Sequence, residues 1–287
     1  MTGQLNSSLA DQGSVEARLA DCDALSRLLA EAARLSAATL MTMRAACDVK
    51  LKRDGSPVCS ADLAADRVAK AALERLLPGF PIVSEESAEA VAPGPVFILL
   101  DPLDGTREFL AGGDSYCVAI AIIRGDRPVA GAIAAPQIGR LWFAGENAFT
   151  QALAADGSAV GEAVTVAVRP LPGEGPVTLV SRFHGDSQSD GIASAMGSSA
   201  TIPVSSAVKF GLIASGEADL HVRGGQTMEW DTAAGDAILA AAGGIVLTLA
   251  GAVPLYGRVD RHFCNQPFVA ASSELLARRA IASLVPA

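Results

Sequence analysis

The stretch "PVFILLDPLDGTREFL", residues 95–110, begins as an apolar run and continues into a polar segment with two carboxylates three residues apart. The apolar run predicts a buried strand, and Asp101 and Asp104 lie at its end. Two carboxylates about 4 Å apart repel each other by roughly 4 kcal/mol at an effective dielectric of 20. The pattern therefore indicates a cation between the two carboxylates, or a proton retained by one of them.

The turn inside this stretch predicts how the two acids meet. Pro102 and Gly105 both favour a sharp change of chain direction. Such a turn brings Asp104 back towards Asp101 and points the carbonyl of Leu103 the same way. Two carboxylates and one carbonyl would form a site made of oxygen atoms.

Further acids occupy positions from which they could join this site. Glu85 and Glu86 end the preceding strand-like run, "IVSEES", and Glu85 faces Asp101 if the two runs are neighbours in one sheet. Asp231, in "EWD", begins a helix of the C-terminal half. Taken singly, each acid also fits a solvated loop residue or a helix cap. Together, with no His or Cys nearby, they predict an oxygen-only site that suits Mg²⁺. Two such ions about 4 Å apart could stabilise the attacking and leaving oxygens of a phosphoryl transfer.

Thr106 directly follows the turn and is a candidate for positioning water. Its hydroxyl could hold a water molecule if another acid accepted the hydroxyl proton, and Asp62 in "SPVCSAD" is the candidate acceptor. A Thr after Gly is also a common turn or helix-start residue, so the pattern leaves both readings open.

Composition narrows the classes of partner. The 287 residues are 50% hydrophobic and 18% charged, with a formal net charge of -9, which disfavours nucleic acid as a partner. The five cysteines form no C-x-x-C pair, which indicates reduced thiols. The N-terminus lacks the pattern of a secretory signal, and no apolar run has transmembrane length. We therefore expect a cytoplasmic protein without stable membrane insertion.

The order of the predicted elements divides the chain into two halves behind a polar, flexible head at residues 1–20. Residues 21–165 predict two helices, the second capped by Ser60, beside an antiparallel sheet. Residues 166–287 follow a loose passage, "RPLPGEGP", and alternate helices with strands in an α/β pattern. We expect the site between the halves, because clefts form there.

Three motifs carry a resemblance to a known family. "DPLDGTREF", "IVSEES" and "WDTAAGDAILAAAGG" resemble the signatures of the inositol monophosphatase superfamily of Mg²⁺-dependent, lithium-sensitive phosphatases. "SPVCSADLAA", "SRFH" and "SSAVKF", and the ending "GTREF" instead of a "GTTNF"-like one, are most similar to bacterial 3'(2'),5'-bisphosphate nucleotidases. The resemblance runs from about residue 24 to the C-terminus. It implies an α/β fold with α+β layering, an α-β-α-β-α sandwich of the inositol monophosphatase/fructose-1,6-bisphosphatase type with two subdomains.

The resemblance also implies roles for individual residues. Two or three Mg²⁺ ions would be bound by Glu85, Asp101, Asp104, Asp231 and the carbonyl of Leu103. Thr106, Asp62 and Glu85 would be the catalytic residues, with in-line attack by water and no phospho-enzyme. The substrate would contact Glu85, Leu103, Asp104, Gly105, Thr106, His184, Ser206, Lys209, Arg223 and Asp231.

The cationic residues of this set fit the second phosphate of a nucleotide. Lys209 and Arg223 supply permanent positive charge and hydrogen-bond donors. Each also fits an ordinary role, Lys209 as a charge on a helix surface and Arg223 as half of a strand-end ion pair. The chain departs from the family pattern twice: it has Ser205-Ser206-Ala207 where Gly-Ser-Ser is frequent, and His221 where Tyr is frequent.

The function implied is a Mg²⁺-dependent phosphatase of sulfur metabolism. It would remove the 3'-phosphate of adenosine 3',5'-bisphosphate to give AMP, with the sulfated form of that nucleotide as a further substrate. One alternative is a phosphatase of inositol-1-phosphate or another sugar phosphate, which would keep the acids and lose the roles of the cationic residues. The other is a non-catalytic protein that binds metal or anions. A monomer is expected in preference to a dimer.

Overall fold

The computed structural model describes residues 15–44, 47–51, 57–88, 94–183 and 185–283. The helices are α1 Cys22–Met43, α2 Ser60–Leu76, α3 Thr106–Leu110, α4 Ser187–Ala195, α5 Val208–Ala214, α6 Glu229–Ala241 and α7 Glu274–Ala282. The strands are β1 Val49–Leu51, β2 Pro57–Cys59, β3 Ile82–Ser84, β4 Val96–Asp104, β5 Cys117–Arg124, β6 Arg127–Ala135, β7 Arg140–Ala144, β8 Ala148–Leu153, β9 Ala159–Thr165, β10 Val177–Val180, β11 Ala200–Pro203, β12 Leu220–Arg223, β13 Ile245–Thr248 and β14 Phe268–Ala271.

The N-terminal half contains a seven-stranded sheet. Its order is β3-β4-β5-β6-β7-β8-β9, and only β3 and β4 pair in parallel. β4 is buried on both faces, because Ile98 and Leu100 pack in one core cluster while Phe97 and Leu99 pack in another. This explains why the strand is a continuous apolar run instead of an alternating one.

Helices α1 and α2 cover one face of this sheet. The side chain of Asp21 caps α1 by accepting a hydrogen bond from the amide of Ala24. Small buried residues let the two helices approach closely, and the hydroxyl of Ser36 donates to the carbonyl of Ala65 at 2.9 Å. The helices and the sheet enclose the first core cluster.

The opposite face packs against α5 and α6, which lie between the two sheets. Gly131 of β6 permits this approach, since a Cβ at that position would lie 2.7 Å from the carbonyl oxygen of Ala234 in α6. The five-stranded sheet, in the order β11-β10-β12-β14-β13, covers the other side of these helices, and α4 and α7 pack on its outer face. The layers therefore run α-β-α-β-α, and the predicted fold class is confirmed.

Two predicted details are wrong. Residues 15–20 do not belong to a flexible head, since Val15 and Leu19 are buried in the first core cluster; residues 1–14 lie outside the described residues. Cys59, not Ser60, occupies the N-cap position of α2, and Ser60 is its first helical residue. The division of the chain at residue 165 stays a prediction. Within the described residues, no helix is long and apolar enough to cross a membrane.

Candidate active site

The parallel pairing of β3 and β4 brings two predicted acids together. Ile82 pairs with Ile98 and Ser84 with Leu100. Glu85 and Asp101, the residues that follow the last pair, therefore lie side by side at the same end of the two strands. Glu85 begins a 3₁₀ turn, and the side chain of Asp101 is almost fully buried. The first part of the predicted cluster therefore follows directly from strand register.

The turn after β4 also forms. Gly105 has a φ of 93°, a left-handed conformation that favours glycine, and it caps the start of α3. The Oδ1 atom of Asp101 accepts a hydrogen bond of 3.0 Å from the amide of Leu103, which holds the turn against the strand end. A Cβ on Gly105 would lie 3.4 Å from the Cβ of Ser206, so the turn touches the C-terminal half.

Two hydrogen bonds from backbone amides fix the carboxylates of Asp104 and Asp231. Asp231, at the third position of α6, accepts from the amide of Met228 at 2.8 Å. Asp104 accepts from the amide of Ala207 at 2.6 Å across the two halves. As for Asp101, one oxygen of each carboxylate is used in this way, and the other oxygen remains to bind a further group.

Glu85, Asp101, Asp104 and Asp231 form an acid cluster on one wall of the site, the acidic wall. Burial and neighbouring charges shift the pKa values of the three aspartates. Burial raises the pKa of Asp101 well above its usual range, and the charges of Glu85, Asp104 and Asp231 raise it further. The pKa of Asp231 is raised well above its usual range by the same two causes. Burial raises the pKa of Asp104 to about 6, although Lys209 and the amide of Ala207 oppose the change. Adjacent buried acids of this kind are stabilised by a cation.

Thr106 and Asp62 contact each other as predicted from the sequence. The Oγ1 atom of Thr106 lies 3.3 Å from Oδ1 of Asp62 and 3.3 Å from the carbonyl oxygen of Leu103. Asp62 is buried, and its Oδ2 atom accepts a hydrogen bond of 2.6 Å from the amide of Cys59. The start of α2 therefore orients the carboxylate towards the hydroxyl of Thr106.

The opposite wall of the site is cationic. Lys209, only 5% exposed, donates to the carbonyls of Val204 at 3.2 Å and Ser206 at 2.7 Å. Its pKa is lowered to about 8, mainly by burial and also by the charge of Arg223, while the attraction of Asp104 opposes the change. Arg223, at the end of β12, is buried and donates to the hydroxyl of Ser181 at 3.2 Å.

One cavity of about 500 Å³ joins the two walls. Of the predicted site residues, it is lined by Glu85, Asp101, Leu103, Asp104, Gly105, Thr106, Ser206, Lys209, Arg223 and Asp231. Asp62 lies behind Thr106, outside the lining. His184 lies outside the described residues, so its contact with substrate stays a prediction.

Residues without a predicted role also line the cavity. Glu108 and Arg182 form an ion pair at 2.8 Å, and Phe183 presents a ring that is 41% exposed. In the sequence, these residues appeared only as part of the motifs "REF" and "SRF". The motifs supported the resemblance to the family but did not indicate what each residue does. His221 is buried beside Phe210, and burial lowers its pKa well below the usual range, so it lines the cavity as a neutral ring.

The fit of a metal ion can be judged from the donors. As the side chains are placed, no three His, Cys, Asp or Glu groups within the described ranges converge closely enough to complete a coordination shell. The oxygen-only chemistry of the acid cluster and the raised pKa values of Asp101 and Asp231 nevertheless match a hard divalent cation.

Comparison with known proteins identifies the family. The model of the inositol monophosphatase family matches residues 22–285. The chain belongs to this family. Its relative in Escherichia coli strain K12, named 3'(2'),5'-bisphosphate nucleotidase CysQ, is 36% identical over 201 residues, which are 68% of this chain and 78% of that protein.

Solved structures of the inositol monophosphatase family share the fold. CysQ of Bacteroides thetaiotaomicron matches with a TM-score of 0.69 and 28% identity, over 86% of this chain and 97% of that one. An IMPase/NADP phosphatase, solved with Mg²⁺ and phosphate, matches with a TM-score of 0.68 and 17% identity, over 86% of this chain and 89% of that one, which shows the fold alone. The predicted family and its phosphatase class are confirmed.

Proposed function

We propose that this family member is a Mg²⁺-dependent phosphatase that removes the 3'-phosphate of adenosine 3',5'-bisphosphate to give AMP. The observation that carries the proposal is the division of one cavity into an acidic wall and a cationic wall. The acid cluster suits the phosphate that reacts, and Lys209 and Arg223 suit a phosphate that does not. A sugar monophosphate has no second anion for these two buried cations.

The acid cluster would hold the metal. Glu85, Asp101, Asp104, Asp231 and the carbonyl of Leu103 are the proposed ligands of two or three Mg²⁺ ions. Bound Mg²⁺ supplies charge neutralisation at the phosphate oxygens and lowers the pKa of the attacking water.

Thr106 and Asp62 orient the water. When the hydroxyl of Thr106 donates its proton to Asp62, its lone pairs face the cavity and can accept a hydrogen bond from the water. The buried carboxylate of Asp62 is held by the amide of Cys59, so the acceptor for the Thr106 proton has a fixed position. Glu85, at the same wall, is the proposed third catalytic residue.

The nucleoside would lie between the walls and the rim. The exposed ring of Phe183 offers a surface for a base to stack on, and Trp230 also lines the cavity. Ser206 completes the cationic wall, with His184 as a further predicted contact. The sulfated form of the nucleotide carries the same two recognition groups and is a second proposed substrate.

The test is a comparison of kcat/KM for adenosine 3',5'-bisphosphate and inositol-1-phosphate in the presence of Mg²⁺. We expect the bisphosphate to be hydrolysed faster, with AMP and phosphate in equal amounts. Faster hydrolysis of inositol-1-phosphate would reverse the proposal, and absence of hydrolysis of both would favour a binding protein. A Thr106→Ser variant, which keeps the hydroxyl, should retain activity that Thr106→Ala loses. Sedimentation of the same preparation tests the expected monomer.

A further inference from the structure

The ion pair between Glu108 and Arg182 connects the two halves beside the cavity. Glu108 lies in α3, immediately after the turn that holds the acid cluster, and Arg182 follows β10. The Nη1 atom of Arg182 lies 2.8 Å from Oε1 of Glu108, and both residues line the cavity. The glutamate side chain is 1% exposed and the arginine side chain 41% exposed.

Both partners bind the segment that leads into α5. The Oε2 atom of Glu108 accepts a hydrogen bond of 2.7 Å from the hydroxyl of Ser205. The Nη2 atom of Arg182 donates to the carbonyl of Pro203 at 3.2 Å. The carboxylate is itself confined, because a Cβ on Gly113 would collide with it. The ion pair therefore fixes residues 203–205 against α3.

The position of the Lys209 ammonium depends on this segment. Its two hydrogen-bond acceptors are the carbonyls of Val204 and Ser206, the residues on either side of Ser205. The next amide, that of Ala207, donates to Asp104 of the acid cluster. A shift of residues 203–207 would therefore move the cationic wall relative to the acidic wall. The spacing of the two walls sets the distance between the two phosphates of a bound substrate.

We propose that Glu108 is a positioning residue which, through Arg182 and Ser205, sets the site for the second anion of the substrate and so the preference for a bisphosphate. The inference rests on the proposed function, because it assigns a specificity device to the same cavity. It also gives a physical reason for the acid in the "REF" ending of the first motif. Glu108 itself would not contact the reacting phosphate.

Glu108→Gln is the decisive variant, since it keeps the size of the side chain and can still accept from Ser205 while losing the charge that binds Arg182. We expect KM for adenosine 3',5'-bisphosphate to rise roughly tenfold with kcat within about twofold, the effect of one weakened charge-assisted hydrogen bond. KM for inositol-1-phosphate should stay within about twofold, because a monophosphate does not need the second site.

Two further variants separate positioning from general destabilisation. Arg182→Gln should reproduce the change, and the double variant should be no worse than the stronger single one, because both remove the same link. Glu217→Gln is the matched control: Glu217 pairs with Arg140 across the two halves, and neither residue lines the cavity. It should leave both KM values unchanged.

Inhibition by AMP separates failure of this inference from failure of the proposed function. AMP carries only the phosphate expected at Lys209, and its inhibition constant can be measured with inositol-1-phosphate as the reporter substrate. Absence of bisphosphate hydrolysis by the wild-type protein would refute the function. An AMP inhibition constant that is equal in wild type and Glu108→Gln, or equal losses on both substrates, would overturn the role of Glu108. A weaker inhibition by AMP in Glu108→Gln supports it.

Discussion

Replacement of Lys209 by Met should weaken catalysis and stabilise the metal-free fold. The ammonium group is buried at the cationic wall, where its pKa is lowered from 10.5 to about 8. Since 1 pH unit corresponds to 1.36 kcal/mol, the charge disfavours the folded state by about 3 kcal/mol below pH 8. Its hydrogen bonds to Val204 and Ser206 offset about 1 kcal/mol each. The net gain from Met at pH 7 is therefore about 1 kcal/mol.

The pH dependence gives the sharper form of this prediction. Because the pKa of Lys209 is lower in the folded than in the unfolded protein, the unfolded chain binds the proton more tightly. The wild-type protein therefore gains stability as pH rises through 8 towards 10.5. Between pH 7 and pH 9 the stability of the Met variant relative to wild type should fall by about 1.4 kcal/mol, so that its advantage disappears.

Urea unfolding in EDTA at pH 7 and pH 9 measures this difference, with Lys50→Met as the control because Lys50 is exposed on β1. The kcat/KM of Lys209→Met for the bisphosphate should fall at least about tenfold, the value of a hydrogen bond from a charged donor. An equal advantage of the Met variant at both pH values would refute the electrostatic reasoning. Wild-type kcat/KM in that variant would refute the place of Lys209 in the substrate site.

Three other substitutions test the acid cluster and the core. Asp101→Asn should lower Mg²⁺-dependent phosphate release at least about 100-fold. It should also raise the melting temperature in EDTA, because it removes repulsion between buried like charges. Unchanged phosphate release would mean that the acid cluster is not catalytic. Asp236→Asn removes a buried acid whose pKa is raised by burial to about 6, so the stability of the wild-type protein falls as pH rises from 3.8 through 6. Between pH 5 and pH 7 the free energy of unfolding of the Asn variant should increase by about 1.3 kcal/mol relative to wild type. A constant difference between the two proteins would contradict this. Gly131→Ala should lower the free energy of unfolding by about 1–3 kcal/mol, because the new methyl group collides with α6. Gly173→Ala is the control, since a Cβ there would meet no atom within 4 Å and the backbone is not left-handed. Equal stability of Gly131→Ala and wild type would show that the layers can separate.

The acidic wall was predictable because each part of it is encoded locally. An apolar run followed by acids specifies a strand end, and Gly105 specifies the turn that follows it. The pairing of β3 with β4 then needs only that two apolar runs close together in the sequence lie side by side in one sheet. The family motifs indicated Asp231 as well. Its position depends on a capping interaction with the amide of Met228 at the start of α6, which the sequence alone indicates only as one possible role of this acid.

The burial and partners of Glu108 and Lys209 were decided by tertiary structure alone. Glu108 looks like a solvent-exposed acid in a polar segment, yet it is 1% exposed and binds Ser205, 97 residues further along the chain. Lys209 fits a surface position of a short helix, yet packing of α5 between the two sheets buries it. Short-range patterns specify strands, turns and caps because these depend on neighbouring residues. Which buried charges meet across the two halves depends on how whole layers pack. No local stretch of sequence specifies the distance between residues that lie in different layers.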